Sequence, residues 1–451
     1  MTHIDLLRRH GLFDAKVPRY TSYPPANHFD LDAGAVHQGD WMARVPTDKP
    51  VSVYIHIPFC RRLCWFCACR TQGTRTMRPV EAYVDHLVRE LGHARSILPP
   101  GLRMGRLHLG GGTPTILPTD LMSKLLDAVS TTFARTEDFE FSVEIDPTDA
   151  APDLLQLLIF RGMNRASIGV QDFAPEVQTA IGRRQSIAQT RAVVDILRAA
   201  DLPSLNVDLL YGLPHQTTDS FARTLDHVAA LSPDRLAIYG YAHVPWMSKR
   251  QVLVRDADLP DALARFALAG QAQARMIAEG YRAVGIDHFA RPHDSLARAA
   301  EAGRLRRNFQ GYTDDESGTL LGFGASAISA YGQGFVQNAV ATSAWQERVA
   351  RDGLTGQKGY VLRPQDRIVS QIITDLMCHF TFDAPALTAR YPQQASVIAT
   401  TGAMLRSQFS ELFVFDGDRL SIRREARPLV RIIAQRVDGF VGVSGSYSAA
   451  I

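Results

Sequence analysis

Long apolar runs are missing from this chain, and so are long basic ones. No stretch approaches the roughly 20 apolar residues that a membrane span needs. A net charge of +3 over 451 residues, with no basic run longer than a few residues, argues against a nucleic-acid-binding protein. The first residues, MTHIDLLRRHGLFDAK, carry charge throughout and lack the apolar centre of a signal peptide. Cysteine is scarce as well, with only five in the chain. That number in so large a protein excludes a disulfide-stapled secreted scaffold and predicts a reducing, cytoplasmic setting. An apolar fraction of 46% and a charged fraction of 21% are ordinary for a soluble protein. The length suits one large domain with one or two small companions.

The few cysteines are not scattered. Cys60, Cys64, Cys67 and Cys69 fall within ten residues of VSVYIHIPFCRRLCWFCAC, directly after a β-branched, alternating stretch (Val51 to Phe59) that reads as a strand. Thiolates at C-x3-C-x2-C spacing on a turn leaving a strand can converge on one iron–sulfur cluster. Three thiolates leave one iron of a cubane open to a cosubstrate, by the logic that separates catalytic from structural zinc. A four-cysteine zinc site is the nearest alternative, although zinc knuckles usually come as two separated pairs.

Around this run the pattern divides into an irregular, partly helical arm (1–48), a βα-repeating unit (49–332) and a smaller terminal unit (333–451). Strands are expected at 51–58, 106–110, 140–146, 165–171, 204–211 and 235–242. Between them lie helices such as the one opened by Pro79, whose apolar stripe is Val80, Tyr83, Val84, Leu87 and Leu91. Six βα units imply an α/β fold with a parallel sheet, flat or curled into a partial barrel. Residues on one face of each strand are polar or small: Tyr54 and His56, Arg106 and His108, Ser142 and Glu144, Ser167 and Gly169, Asn206 and Asp208, Gly240 and Ala242. The alternate residues are Val, Ile, Leu and Phe. A packed parallel barrel is apolar on both faces, so this pattern predicts an open partial (β/α)6 barrel around a ligand-filled cavity. The terminal unit reads as short helices near Gln365–Cys378 and Pro385–Tyr391, then a hairpin near Glu411–Ile422. That is mostly helical and winged-helix-like, with a frayed tail from Val441 to Ile451.

LHLGGGTPT (Leu107 to Thr115) puts three glycines at the carboxyl end of the second strand, where ligands of parallel sheets bind. Glu144, Gln171, Arg183 and Asp208 end later units. Each alone reads as a cap or a solvated charge; together at one mouth they could hold an amino-acid moiety and ribose hydroxyls.

With Phe66 before its third cysteine, the cysteine run resembles the radical S-adenosylmethionine (SAM) superfamily. YIHIPFC, the extra Cys69, PRYTSYP (Pro18 to Pro24), NFQGYT (Asn308 to Thr313), LLGFGASAIS and DHFARP (Asp287 to Pro292) together resemble the oxygen-independent coproporphyrinogen III oxidases. The resemblance runs from Pro18 to about Asp383. It implies a [4Fe–4S] cluster on Cys60, Cys64 and Cys67, and two molecules of SAM as cosubstrate. It implies SAM contacts at Tyr54, Phe66, Gly111, Gly112, Thr113, Glu144, Gln171, Arg183, Asp208, Ala242 and Ile328, with Phe309 and Gln310 near the second SAM. Tyr54, Cys69 and Gln310 are the implied catalytic residues. Coproporphyrinogen III is the implied substrate, a reduced flavodoxin-type protein the electron donor, and a monomer the expected state. Ala68 and Trp65 depart from the family's glycine and tyrosine, and RIIAQRVDGF (Arg431 to Phe440) lacks the sulfur-rich character of its terminal helix. A haem-binding relative, or a radical methyltransferase or cyclase on the same scaffold, are the alternative readings.

Overall fold

The computed structural model describes residues 2–309, 311–440 and 447–451. Its centre is six parallel strands in chain order: β1 (Val51–Ile57), β2 (Arg103–Gly111), β3 (Ala134–Ile145), β4 (Arg165–Gln171), β5 (Ser204–Tyr211) and β6 (Arg235–Gly240). The main connecting helices are α1 (Arg78–Ile97), α2 (Thr119–Thr132), α3 (Pro152–Phe160), α4 (Ile187–Ala199) and α5 (Thr218–Leu231), with α6 (Ala262–Ala278) following β6. The apolar strand residues, among them Ile55, Leu109, Val143, Ile168 and Val207, are fully buried in one core with Val80, Leu87, Leu125 and Phe221 of the helices. Each such side chain contributes about 1.5–3 kcal/mol of burial energy. The alternate residues face inward. The two ends of the sheet do not meet, so the barrel is open. No helix of the described residues is long and apolar enough to cross a membrane.

β6 departs from the expected facing. Its register pairs Asp208 with Ala237 and Leu210 with Tyr239. Arg235, Ala237 and Tyr239 therefore share the inner face, and Gly240 lies with Tyr211 on the helix side. A one-residue difference in phase reverses every side chain of a strand, and the short apolar run RLAIYG carries no alternation strong enough to fix it.

The sheet also runs past the boundary expected at 333. A seventh parallel strand, β7 (Leu320–Phe323), lies beside β1 and leads into an antiparallel meander of β8 (Ile328–Tyr331), β9 (Gly334–Asn338) and β10 (Gly356–Val361). Asp30–Leu31 of the arm then pairs with β10. The arm contributes to a second core as well, where Leu7, Leu12, Val17, Tyr20 and Tyr23 pack with Ile368, Ile372, Leu376 and Ile433 of the terminal unit. That unit combines α7 (Pro364–His379) and a short helix Ala384–Arg390 with a small sheet of Thr381–Asp383, Phe413–Asp416 and Arg419–Ile422. It also holds a helix the sequence reading did not place, Ala395–Phe409. Residues 447–451 of the tail are not frayed: Val17 N donates to Ser448 O (3.2 Å) and Ala450 N to Ala15 O (2.8 Å). Residues 441–446 lie outside the described residues.

One buried carboxylate clasps α1 to the meander. Glu90 accepts from Gly324 N (2.7 Å), Thr355 Oγ1 (2.7 Å), Trp345 Nε1 (3.1 Å) and Asn338 Nδ2 (3.1 Å). Burial outweighs these donors and pushes the carboxyl up to about 7 from 4.5. The folded state thus holds a proton that the unfolded chain has released, so this site's contribution to stability falls as pH rises from about 4.5 to about 7. Glu90→Ala orphans four donors and is expected to cost roughly 3 kcal/mol or more, and to flatten that slope. Urea denaturation at several pH values measures both; a loss below about 1 kcal/mol would contradict the clasp.

Candidate active site at the mouth of the barrel

The cysteine loop begins where β1 ends, and Phe59–Cys60 pairs in parallel with Gln72–Gly73 to close it. Between those points the loop has little ladder of its own, so distant groups satisfy its backbone. Gln251 Nε2 donates to Phe66 O (2.6 Å) and Ala242 O (3.1 Å), and Ser248 Oγ donates to Cys67 O (2.9 Å). Arg250 donates to Thr71 O (3.0 Å), the His56 ring bonds Arg70 O (3.0 Å), and Trp65 N donates to Ile181 O (2.9 Å).

Polar hydrogens point at the sulfurs. Thr113 Oγ1 lies 3.6 Å from Cys60 Sγ and Arg183 Nη1 lies 3.6 Å from Cys64 Sγ. Burial pushes the Cys60 thiol up to about 11. A hydrogen bond from Cys69 draws the Cys67 thiol down to about 6, and the same pairing pushes Cys69 up. Cys69 itself is exposed. Among the described residues no group of three or more His, Cys, Asp or Glu is gathered as for a single metal ion. Three thiols on one loop, with O–H and guanidinium donors aimed at two of them, fit an anionic iron–sulfur cluster.

The glycine turn is pressed against this loop. A Cβ on Gly112 would lie 2.6 Å from Phe59 O, and one on Gly111, at φ +116°, would lie 2.6 Å from the His56 ring. Glycine is required at both positions. Gly111 N donates to Glu144 Oε2 (3.0 Å), and His108 Nε2 meets Glu144 Oε1 (3.2 Å). Tyr54 stacks on His108 at 5.7 Å and hydrogen-bonds His56 Nδ1 (2.9 Å). Burial pushes the Glu144 carboxyl up, but His108 and the Gly111 N–H outweigh it, so it lies below its ordinary value and is ionised.

Arg183 is buried, paired with Asp146 (3.0 Å) and donating to Gly169 O (2.7 Å); its Nε has no hydrogen-bond partner. Gln171 follows a bulge at the end of β4 with φ +70°. Asp208 accepts from Ser167 Oγ (3.0 Å) and Asn206 Nδ2 (2.8 Å), and burial raises its pKa. Tyr54, Gly111, Gly112, Thr113 and Glu144 are thus brought together against the cysteine loop. Phe66 and Ala242 join them from the loop side through Gln251, and Arg183 through Cys64. Ile328 opens β8, one strand beyond the β7 that borders β1. Phe309 stands apart, in a cavity of about 200 Å³ beside Tyr20, Tyr23 and Phe335. Gln310 lies outside the described residues. Asp287 and His288 are joined (2.7 Å), and His288 Nε2 meets Tyr239 OH (3.2 Å) on the inner face.

Sequence reasoning missed Ser248, Arg250, Gln251 and Tyr239. The only signal for the first three was a polar cluster, SKRQ, after the last strand; Tyr239 lies within that strand, and its face is set by register. Gln251, fully buried, is the most demanding of them. Gln251→Ala is expected to leave the chain folded and to release iron to a chelator about 10–100-fold faster, the usual scale for a lost supporting shell. Release at the wild-type rate would show that the loop keeps its shape without this residue.

The Radical SAM superfamily profile matches residues 54–228. The chain is 49% identical, over the full length of both, to the oxygen-independent coproporphyrinogen III oxidase of Cereibacter sphaeroides. It is 37% identical to that of Escherichia coli K12 over 94% of this chain and 93% of the relative. The solved structure of coproporphyrinogen III oxidase from Escherichia coli, a radical SAM enzyme, superposes with a TM-score of 0.89 at 35% identity, covering 95% of this chain and all of that one. The chain belongs to the oxygen-independent coproporphyrinogen III oxidase family of radical SAM enzymes.

Proposed function

We infer that this chain oxidises coproporphyrinogen III without oxygen, converting two propionate side chains to vinyl groups with loss of carbon dioxide to give protoporphyrinogen IX. The observation that carries this reading is the three-thiol loop locked against a glycine turn at the mouth of a polar-lined, open barrel, in a chain alike to those oxidases along its whole length. When bound, the cluster and SAM together supply a 5′-deoxyadenosyl radical that takes hydrogen from a propionate β-carbon.

The remaining tasks fall to side chains. Cys60, Cys64 and Cys67 hold the cluster, and the donors from Thr113 and Arg183 stabilise its negative charge. Glu144, ionised and partly open to the cleft, is suited to the ammonium of SAM beside the Gly111–Gly112 backbone. Asp208 is held by two donors and has capacity left to accept ribose hydroxyls. Gln171, Phe66, Ala242 and Ile328 complete the contact surface, and Tyr54 and Cys69 face the reacting end. Phe309, beside Tyr20 and Tyr23 of the arm, and Gln310 are the residues assigned to a second SAM. The electron arrives from a reduced flavodoxin-type donor, and the chain works as a monomer. We assign residues 49–361 to the barrel unit and the rest, with the start of the arm, to a terminal unit.

Cys60→Ala, Cys64→Ala and Cys67→Ala are expected to lose iron and SAM cleavage, whereas Cys69→Ala keeps the cluster and loses product. Iron and sulfide counts after anaerobic reconstitution, with product analysis on coproporphyrinogen III, test this. Loss of the cluster in Cys69→Ala would point to a four-thiolate site. A wild-type protein that binds haem tightly and releases no carbon dioxide from coproporphyrinogen III would sink the oxidase reading.

A further inference from the structure

A second cavity, of about 590 Å³, lies on the helix side of β5 and β6, roofed by the terminal unit. Ile238, Phe266, Phe289 and Phe380 give it apolar walls, and the main chain of residues 449–451 closes one side. Arg19 of the arm and Arg424, Arg427 and Arg431 of the terminal unit also line it, against the carboxylates of Asp287 and Glu425. Asp287 is already bonded to His288 (2.7 Å).

The guanidinium bonds here go to neutral carbonyls. Arg431 donates to Val17 O (2.7 Å), Pro18 O (3.0 Å) and Ala450 O (3.0 Å), and Arg19 donates to Gly240 O (2.7 Å). Behind them, Arg307 donates to Arg19 O (3.3 Å) and Tyr20 O (3.1 Å), while its Nη1 is buried with no hydrogen-bond partner. Asp287, whose charge is felt at Arg19, Arg307 and Arg431, is the carboxylate already bonded to His288. Arg431 is buried, and the carbonyls that satisfy its N–H groups leave its charge in place; Asp287 offsets part of the charge gathered here, and the remainder is costly to bury. Burial and the neighbouring Arg19 and Arg307 push the Arg431 guanidinium down to about 9, the direction expected of crowded like charges. The cavity wants an anion, and its walls want that anion on an apolar body.

We propose that this cavity seats the carboxylates of the tetrapyrrole substrate that the reaction does not remove, with Arg19 and Arg427 as their partners and Arg431 supplying the field. The proposal rests on the oxidase reading above. It answers a need that reading creates. Two propionates of coproporphyrinogen III are consumed at the thiol-lined mouth, and two survive into the product still charged. A guanidinium fork matches a carboxylate bidentately. The link to the reacting end is short: His288 lines the cavity, and its Nε2 meets Tyr239, an inner-face residue that lies within the field of Asp208. The apolar macrocycle can span the open edge of the barrel between the two.

The test uses the anaerobically reconstituted holoenzyme and two fluorescent probes, coproporphyrin III and its tetramethyl ester. Wild type is expected to bind the acid at least about tenfold more tightly than the ester, the scale of one charged hydrogen bond. Arg427→Gln and Arg19→Gln should each lose roughly tenfold for the acid and nothing for the ester. The KM for coproporphyrinogen III should rise in parallel. Arg427 is exposed and its guanidinium lies over the Phe380 ring at 4.4 Å; iron content and melting temperature matching wild type show that its variant keeps the fold. Variants of wild-type content and stability that bind the acid as wild type does, or an ester bound as tightly as the acid, overturn the site while the oxidase reading stands. A wild type that does not convert coproporphyrinogen III overturns the reading, and the site with it.

Discussion

Everything at the reacting end depends on how the carbonyls of the cysteine loop are satisfied. A loop that must turn three thiols toward one point cannot also run a hydrogen-bond ladder, and buried carbonyls left unpaired would pull it into another shape. Here Gln251, Ser248 and Arg250 supply the missing donors from a segment distant in sequence, and His56 supplies one from the end of β1. The segment after β6 is therefore part of the site, though it carries none of the reactive groups. Its position follows from β6 lying where the parallel sheet puts it. The glycine turn is the second half of the same constraint, because side chains at Gly111 or Gly112 would drive β2 away from the loop.

The inner face shows the same economy at the other end of the strands. Near their amino ends, Arg106 pairs with Glu140 (3.1 Å) and Asp314 (2.9 Å), Arg165 also reaches Glu140 (3.3 Å), and Arg235 pairs with Asp294 (2.6 Å). Ser52 closes the ring by donating to Asp315. A barrel filled with apolar layers would need no such plug, and would also have no room for a cosubstrate. Charged groups paired at the bottom seal the cavity from that side while the upper strand ends stay polar and open. Radical chemistry requires this asymmetry, since the reacting species must meet its target at near-contact distance with water kept out.

What could be read from sequence was whatever rests on local alternation. The six strands, the inward polar set of β1 to β5 and the cysteine and glycine turns all follow from period-two patterns and short spacings. Where the pattern was weak the reading slipped. RLAIYG carries no clear alternation, so Gly240 is expected on the inner face, whereas register places it with Tyr211 on the helix side. The helix Ala395–Phe409 buries only Ile398, Gly402, Leu405 and Phe409, a stripe too sparse to announce itself. The sheet's continuation past 333 has another cause. The meander β8–β10 breaks the βα rhythm, yet its edge hydrogen bonds complete the same sheet, and no local signal distinguishes a new domain from an extended edge.

The terminal helix illustrates how a departure from a family pattern acquires a physical meaning. RIIAQRVDGF lacks sulfur, which at first counts against closure of the site by this unit. In the folded chain Ile432 and Ile433 are buried in the terminal core, while Arg431 reaches out of it to the carbonyls of Val17 and Pro18. Tyr20 donates to Asp438 (3.0 Å), and the Tyr23 hydroxyl accepts from Gly439 N (3.2 Å). Closure here is accomplished by charge-assisted and backbone bonds to the arm in place of soft sulfur packing. Such bonds are directional, so they set the register of arm against helix. That register places the Arg19 guanidinium against Gly240 O, at the carboxyl end of β6. The same residues that tie the arm down therefore decide where Arg19 points.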